Sequence, residues 1–120
     1  MAWVRLGAVL MFMGVALGAF GAHALRGRLA PDMLQVFETG VRYHFYHSLA
    51  LFVVGWLAET HPSQWIAGAG IAFTLGVFVF SGSLYVLSLS GVKWWGAVTP
   101  LGGLAFLIGW LLLAVGSFRA

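Results

Sequence analysis

The stretch Thr39–Leu51, TGVRYHFYHSLAL, gathers most of the strongly polar side chains that lie next to an apolar segment. Read as a helix, it places His44, His47 and Ser48 on one face, because residues three and four apart are neighbours. The apolar run behind it, 45–58, is too short for a helix that needs about 20 residues to cross a bilayer. A spanning helix must therefore begin within the polar stretch, which predicts ionisable side chains at or below the membrane boundary.

The composition is typical of a polytopic membrane protein. Of the 120 residues, 62% are hydrophobic and 8% are charged, whereas soluble domains contain about 25% charged residues. The six Lys and Arg are scattered singly, which argues against nucleic acid as a partner, because nucleic-acid binding needs a clustered basic face. The absence of cysteine excludes disulfides, thiol nucleophiles and cysteine-type metal sites.

The order of apolar and polar segments predicts an all-α protein. Pro31 with Asp32 indicates a helix start, since proline and acidic residues are favoured in the first turn. The segment at about 31–39 has apolar side chains on one face, which predicts a short amphipathic helix in the membrane surface. Gly40 either separates this helix from the second span or bends it. We therefore expect an integral membrane four-helix bundle in one domain, 1–120, with spans at about 3–25, 39–58, 65–89 and 99–118.

The basic residues give this arrangement an orientation. With four spans both termini lie on one side, which carries Arg5 and Arg119. The other side carries the remaining bases, Arg26, Arg28, Arg42 and Lys93. The positive-inside rule then predicts that the second side is cytoplasmic and that both termini are outside.

Small residues recur with a spacing of seven in all four spans. Inside lipid, helices associate through close backbone approach at small residues and through interhelical hydrogen bonds, and a strict period of seven winds the contact left-handedly. Thr74 and Ser81 are expected to hydrogen-bond to carbonyls of their own helix. The pattern predicts a left-handed bundle with helix contacts at Gly7, Gly14, Gly21, Ser48, Gly55, Ala67, Thr74, Ser81, Ser88, Gly102, Gly109 and Gly116.

Polar side chains at the predicted cytoplasmic end form a candidate ligand site. Its members are His23, Arg42, Tyr43, His44, Tyr46, His47 and Tyr85. Imidazole binds several transition metals, so His23, His44 and His47 are weak candidates for metal ligands, and the first two are expected to meet. The more frequent role of such histidines is hydrogen bonding between helices. The sequence assigns no metal, and it leaves the cofactor unknown.

Two other members of this set have simpler interpretations. Arg42 is one turn after Glu38 and is expected to pair with it, with an anionic lipid headgroup as the second partner for its guanidinium. Tyr85 either extends the polar site or belongs to the aromatic belt near the helix end, and the belt is the favoured role.

Four motifs carry a resemblance to a known family, and they are GAFGAHAL at Gly18–Leu25, TGVRYHFYHSLAL at Thr39–Leu51, FSGSLYVL at Phe80–Leu87 and TPLGGLAFLIGW at Thr99–Trp110. In this order they resemble the domain of unknown function 423 family, which is similar to the small transmembrane protein 256 group of eukaryotes. The resemblance covers essentially the whole chain and implies a small four-span protein of the bacterial plasma membrane, without implying a reaction.

Three functions are compatible with these features. The leading hypothesis is a non-enzymatic protein that binds a small polar ligand, an ion or a lipid headgroup, which requires His23, Arg42, His44 and His47 to converge on one cavity. The first alternative is a structural or accessory subunit of a membrane complex, in which the polar residues only lock helices together. The second is a small proton-coupled carrier, because histidine titrates near neutral pH. An enzyme is not expected, since no nucleophile with an acid-base pair can be assigned; the expected partners are membrane lipid and further copies or a larger membrane complex.

Overall fold

The computed structural model describes residues 1–119, and all of its regular elements are helical. α1 spans Ala2–Phe20 and continues as a π-helical turn at Gly21–Leu25, and α2 spans Pro31–Thr60. α3 (Gln64–Gly76), a second π-helical turn (Val77–Ser81) and α4 (Gly82–Ser90) follow one another directly. A 3-10 turn at Lys93–Ala97 leads into α5, Thr99–Phe118. Residues 1–119 contain no strand, so the predicted all-α class is confirmed.

Local sequence explains where these helices begin and end. Pro31 lies in the first turn of α2. A backbone N–H at this position has no acceptor within the helix, so proline, which lacks the N–H, loses no hydrogen bond there. The hydroxyl of Ser63 accepts a hydrogen bond from the Ile66 N–H and caps α3. Gly91 follows α4 with a φ of 72°, a left-handed conformation that glycine adopts without strain.

The chain from Pro31 to Thr60 is one continuous helix, so the separate amphipathic helix predicted at about 31–39 is wrong. Gly40 lies inside this helix and is buried. A Cβ at Gly40 would come within 2.9 Å of a ring carbon of Tyr85. Gly40 therefore allows another helix to pack closely on α2, and it does not interrupt the helix.

α2 and the long helix formed by α3 and α4 occupy the middle of the molecule. α2 packs against α1 on one side and against α3 and α4 on the other, whereas α5 packs mainly on α3. We compare the most apolar 18-residue stretch of each helix. In Gln64–Ser90, 39% of that stretch is buried, but in Ala2–Leu25 and in Lys93–Phe118 only 22% is buried. The Cα extents of 48 × 26 × 16 Å describe a flattened arrangement with α1 and α5 at its edges.

Three helices within residues 1–119 are long and apolar enough to cross a membrane: Ala2–Leu25, Gln64–Ser90 and Lys93–Phe118. α2 is longer than any of them but is not in this group, because polar residues such as Arg42, His44 and His47 lower its hydropathy. Four long helices are therefore present, and three of them qualify as spans by length and composition. The left-handed packing stays a prediction.

The glycines of the sevenfold pattern lie where another helix approaches. A Cβ at Gly21 would come 2.7 Å from the Phe37 ring, and a Cβ at Gly109 would come 2.6 Å from the Phe73 ring. Such separations are too short for real side chains, so only glycine permits these helix distances. The other glycines of the pattern that meet a neighbouring helix are Gly7, Gly14, Gly55, Gly102 and Gly116.

The hydroxyl groups of the pattern form two kinds of hydrogen bond. Thr74 donates to the Gly70 carbonyl of its own helix at 2.8 Å. Ser81 instead donates to the Gly40 carbonyl of α2 at 2.7 Å, so the expected bond within the helix occurs at Thr74 and not at Ser81. Ser48 and Ser88 also donate within their own helices.

Candidate functional site

His44 lies where α2 contacts both α1 and α4, and its side chain is only 2% exposed. Its Nε2 lies 2.6 Å from the carbonyl oxygen of Leu10 in α1, and its Nδ1 lies 2.9 Å from the hydroxyl of Tyr85 in α4. A carbonyl can only accept, so Nε2 carries the proton, and the Tyr85 hydroxyl donates to Nδ1 of the neutral ring. These three residues, the His44 network, connect three helices.

His47, one turn further along α2, is 3% exposed and faces α5. The indole Nε1 of Trp110 lies 3.0 Å from its Nε2, and the Tyr43 carbonyl lies 2.8 Å from its Nδ1. An indole N–H can only donate, so Nε2 must accept and Nδ1 must carry the proton. The ring also stacks on Phe106 with a centroid distance of 3.5 Å and an angle of 7°. His47, Tyr43 and Trp110 form the His47 network.

Both nitrogens of each imidazole are therefore used inside the protein. A neutral histidine binds a metal through a nitrogen lone pair, and in these networks each lone pair accepts a hydrogen bond from Tyr85 or Trp110. Within residues 1–119 no group of three or more His, Asp or Glu side chains is arranged to hold a metal ion. The same part of the chain has no buried side-chain nitrogen or oxygen without a hydrogen-bond partner.

The structure does not bring His23 and His44 together as expected. His44 binds the carbonyl of Leu10, near the middle of α1. His23 lies thirteen residues beyond Leu10 along the same helical segment, or about 20 Å along a helix axis, and it is exposed. His44 therefore does not lie at the predicted cytoplasmic end of the bundle, and the two side chains have separate surroundings.

The predicted pair of Arg42 and Glu38 is wrong. The guanidinium Nη2 of Arg42 donates to the Thr39 hydroxyl at 3.2 Å. The only ion pair within residues 1–119 lies elsewhere, between the Met1 ammonium and Glu59. Arg42 and Glu38 are both exposed, so each charged group is accessible to a partner outside the protein.

Glu59 lies at the opposite end of α2. Its carboxylate accepts a hydrogen bond from the Met1 ammonium at 2.7 Å. This hydrogen bond, together with the positive charge, lowers the pKa of the Glu59 carboxyl. Both groups are more than half exposed, and ion pairs at the surface add little to the free energy of unfolding.

Tyr43 and Tyr46 line a groove between α2 and α5. The groove has a volume of about 360 Å³, and its walls are mostly aromatic. The Tyr43 ring lies 4.7 Å from the Phe80 ring, while the hydroxyls of both tyrosines form no hydrogen bond within residues 1–119. The groove lining is completed by His47, Gly103, Phe106, Leu107 and Trp110.

The predicted polar site is therefore divided among four places. His44 and Tyr85 are in the His44 network, and Tyr43, Tyr46 and His47 line the groove on α5. Arg42 lies on the α1 side of α2, and His23 is exposed on the π-helical turn after α1. The single cavity that the ligand hypothesis requires is not formed, and Tyr85 binds His44 in place of the favoured belt position.

Sequence reasoning missed the partners that fix both histidines. Leu10 contributes a backbone carbonyl, which has no signature in the sequence. Trp110 could have been suspected, because its indole N–H lies within an apolar segment and needs an acceptor when it is removed from water. Phe106, the stacking partner of His47, lies one turn before Trp110 on α5.

The sequence of this chain is similar to a known protein family and to named membrane proteins. The model of the family described as "Protein of unknown function (DUF423)" matches residues 17–103. The UPF0382 membrane protein YwdK of Bacillus subtilis (strain 168) is 45% identical over 118 residues, which cover 98% of this chain and 96% of the relative. The UPF0382 inner membrane protein YgdD of Escherichia coli (strain K12) is 41% identical over 108 residues, or 90% of this chain and 82% of the relative. No solved structure matches the chain.

Proposed function

Because this chain belongs to the DUF423 family of proteins of unknown function, we propose that it is a four-span, non-enzymatic subunit that supports the structure of a membrane complex. The predicted resemblance to this family is thereby confirmed, and the relatives are named membrane proteins. In this proposal the two histidine networks lock α2 between its neighbours. The protein lies in a bacterial plasma membrane with both termini outside.

The pairing of α2 with α1 supports a fourth span. A Cβ at Gly55 would meet Val4 near the start of α1, and a Cβ at Gly21, just after α1, would meet Phe37 of α2. The two helices therefore run antiparallel, side by side, over most of α1. If α1 crosses the bilayer, the part of α2 from about Phe37 to Gly55 lies at the same depth and crosses it as well.

One observation carries the structural role: both nitrogens of His44 and of His47 are bound to neighbouring groups of the protein. Polar side chains that form hydrogen bonds from one helix to another hold membrane helices together. A ligand site would instead present unused donors or acceptors to a cavity. Because neither imidazole has a nitrogen left over, the two histidines favour this role over a ligand site or a proton pathway built on His44 and His47.

Native mass spectrometry with elemental analysis tests the structural role. We expect the detergent-purified protein to contain no stoichiometric metal, and no bound molecule that depends on His44 and His47, and we expect the His44→Ala/His47→Ala double variant to lose its folded fraction. His23→Ala is the matched control, because His23 is exposed, and it should leave the fold intact. A stoichiometric ligand that disappears from a double variant that remains folded would contradict the proposal.

Cysteine labelling tests the number of spans, because the natural chain has no cysteine to interfere. Single variants Arg28→Cys, Ser63→Cys and Ser90→Cys place a thiol in each turn between the long helices. With a membrane-impermeant maleimide on intact spheroplasts, only the cysteine at position 63 should react, and the other two should react after permeabilisation. Equal labelling of the cysteines at positions 28 and 63 would show that α2 does not cross the membrane.

A further inference from the structure

A second groove lies between the end of α1 and the first half of α2. It has a volume of about 260 Å³. Its apolar walls come from both helices, and its only charged lining residues are Glu38 and Arg42. Gly18, Gly21 and Ala22 form the α1 side. The Phe37 ring packs on Gly21, so the open part of the α1 wall is made by Gly18 and Ala22, which carry little or no side chain.

The two charged groups of this groove form no ion pair within residues 1–119. Arg42 donates only to the Thr39 hydroxyl, and within residues 1–119 the Glu38 carboxylate takes part in no ion pair. Both side chains are exposed. A partner that carries both a negative and a positive group could therefore meet a complementary charge on each.

The order of the two charges along the membrane normal is defined by the contacts of α1 with α2. Gly18 lies opposite Val41, and Gly21 lies opposite Phe37. Arg42, next to Val41, is therefore the deeper of the two charges. Glu38 is one turn, or about 6 Å, closer to the end of the α1 segment. Two exposed arginines, Arg26 and Arg28, follow that end, as expected where a span leaves the bilayer.

We propose that this groove binds a phospholipid with a phosphoethanolamine headgroup. The phosphate binds Arg42, the primary ammonium binds Glu38, and an acyl chain lies against Gly18 and Ala22 on the α1 side. In such a lipid the phosphate lies between the acyl chains and the ammonium, which matches the depth order of the two side chains. This proposal rests on the spanning arrangement given above and adds a specific lipid partner to it.

The same geometry discriminates between headgroups. A phosphoglycerol headgroup has no cation for Glu38, and its net negative charge is repelled by that carboxylate. A phosphocholine headgroup has the right charges, but its quaternary ammonium has no N–H to donate to Glu38. Hydrogen bonds between charged groups are the stronger ones, so the primary ammonium should be preferred over both.

Native mass spectrometry of the detergent-purified full chain, titrated with lipids of identical dioleoyl chains, tests this site. We expect phosphatidylethanolamine to bind about tenfold more tightly than phosphatidylcholine or phosphatidylglycerol, as one charge-assisted hydrogen bond would give. Glu38→Gln should remove the preference for ethanolamine over choline. Arg42→Gln should weaken binding of all three lipids by about tenfold.

Arg28→Gln is the matched control, because Arg28 is an exposed arginine at the same end of the molecule that does not line the groove. It should leave all three affinities unchanged. Tightest binding of phosphatidylglycerol, equal binding of the three lipids by the natural chain, or an equal effect of Arg28→Gln and Arg42→Gln would each overturn the site. Because the cysteine labelling is independent of lipid titration, failure of the lipid site and failure of the four-span proposal are distinguishable.

Discussion

His44 and His47 are three residues apart on the same helix and equally buried, yet they hold their protons on opposite nitrogens. His44 is protonated at Nε2, because it meets a carbonyl of α1, and His47 is protonated at Nδ1, because it meets an indole N–H of α5. The partner, and not the position in the sequence, selects the tautomer. One short segment of α2 is thus fixed to both edges of the molecule by two different hydrogen-bond patterns.

The two networks also differ in what a lost imidazole would leave behind. At His47 the loss exposes an indole N–H that can only donate, together with the face of Phe106. At His44 it leaves the Leu10 carbonyl, which also accepts the hydrogen bond of its own helix α1, and the hydroxyl of Tyr85, a residue that lines a small apolar cavity. The His47 network should therefore be the more sensitive of the two.

Replacement of each histidine by alanine should give the largest effects. We expect His47→Ala to lower the free energy of unfolding by about 3 kcal/mol, through the cavity beside Phe106 and the unsatisfied indole N–H of Trp110. His44→Ala should lower it by about 2 kcal/mol. Unfolding in mixed detergent micelles measures both values. A smaller loss at His47 than at His44 would contradict the proposed difference between the networks.

Removal of the two groups that donate hydrogen bonds to the histidines should give smaller effects. Trp110→Phe and Tyr85→Phe keep an aromatic ring but remove the group that donates to a histidine. Each should cost about 0.6 kcal/mol and no more than about 1.7 kcal/mol, the average and the maximum found for hydrogen bonds between membrane helices.

A double-mutant cycle shows whether these donors act on separate histidines. The cycle should show coupling of Trp110 with His47 and no coupling of Trp110 with His44. Coupling of Trp110 with both histidines would mean that the two networks are one.

Much of the helical structure could be predicted because its signals are local. Long apolar segments, proline with an acidic residue at a helix start, and glycine at a helix end each act within a few residues. The membrane class and the family follow from composition and motifs in the same way. The error at Gly40 has a physical cause: a glycine inside a helix looks like a break in the sequence, but here it makes room for Tyr85.

The histidine partners could not be predicted because they are distant in sequence. The contact of His44 with Leu10 spans 34 residues, and the contact of Trp110 with His47 spans 63. The sequence predicts one site for the polar side chains of Thr39–Leu51 because they are close along the chain. Neighbouring residues on a buried helix face different helices, however, so closeness in sequence did not produce a shared cavity.

The protonation pattern of the two imidazoles tests the central claim most directly. Nitrogen-15 NMR of the protein with labelled histidine, assigned with His44→Ala and His47→Ala spectra, distinguishes a protonated from an unprotonated nitrogen at each ring position. At neutral pH we predict a neutral His44 with its proton on Nε2 and a neutral His47 with its proton on Nδ1. The same tautomer at both positions, or an imidazolium at either, would contradict the account of α2 as a helix locked on both sides by opposite hydrogen-bond patterns.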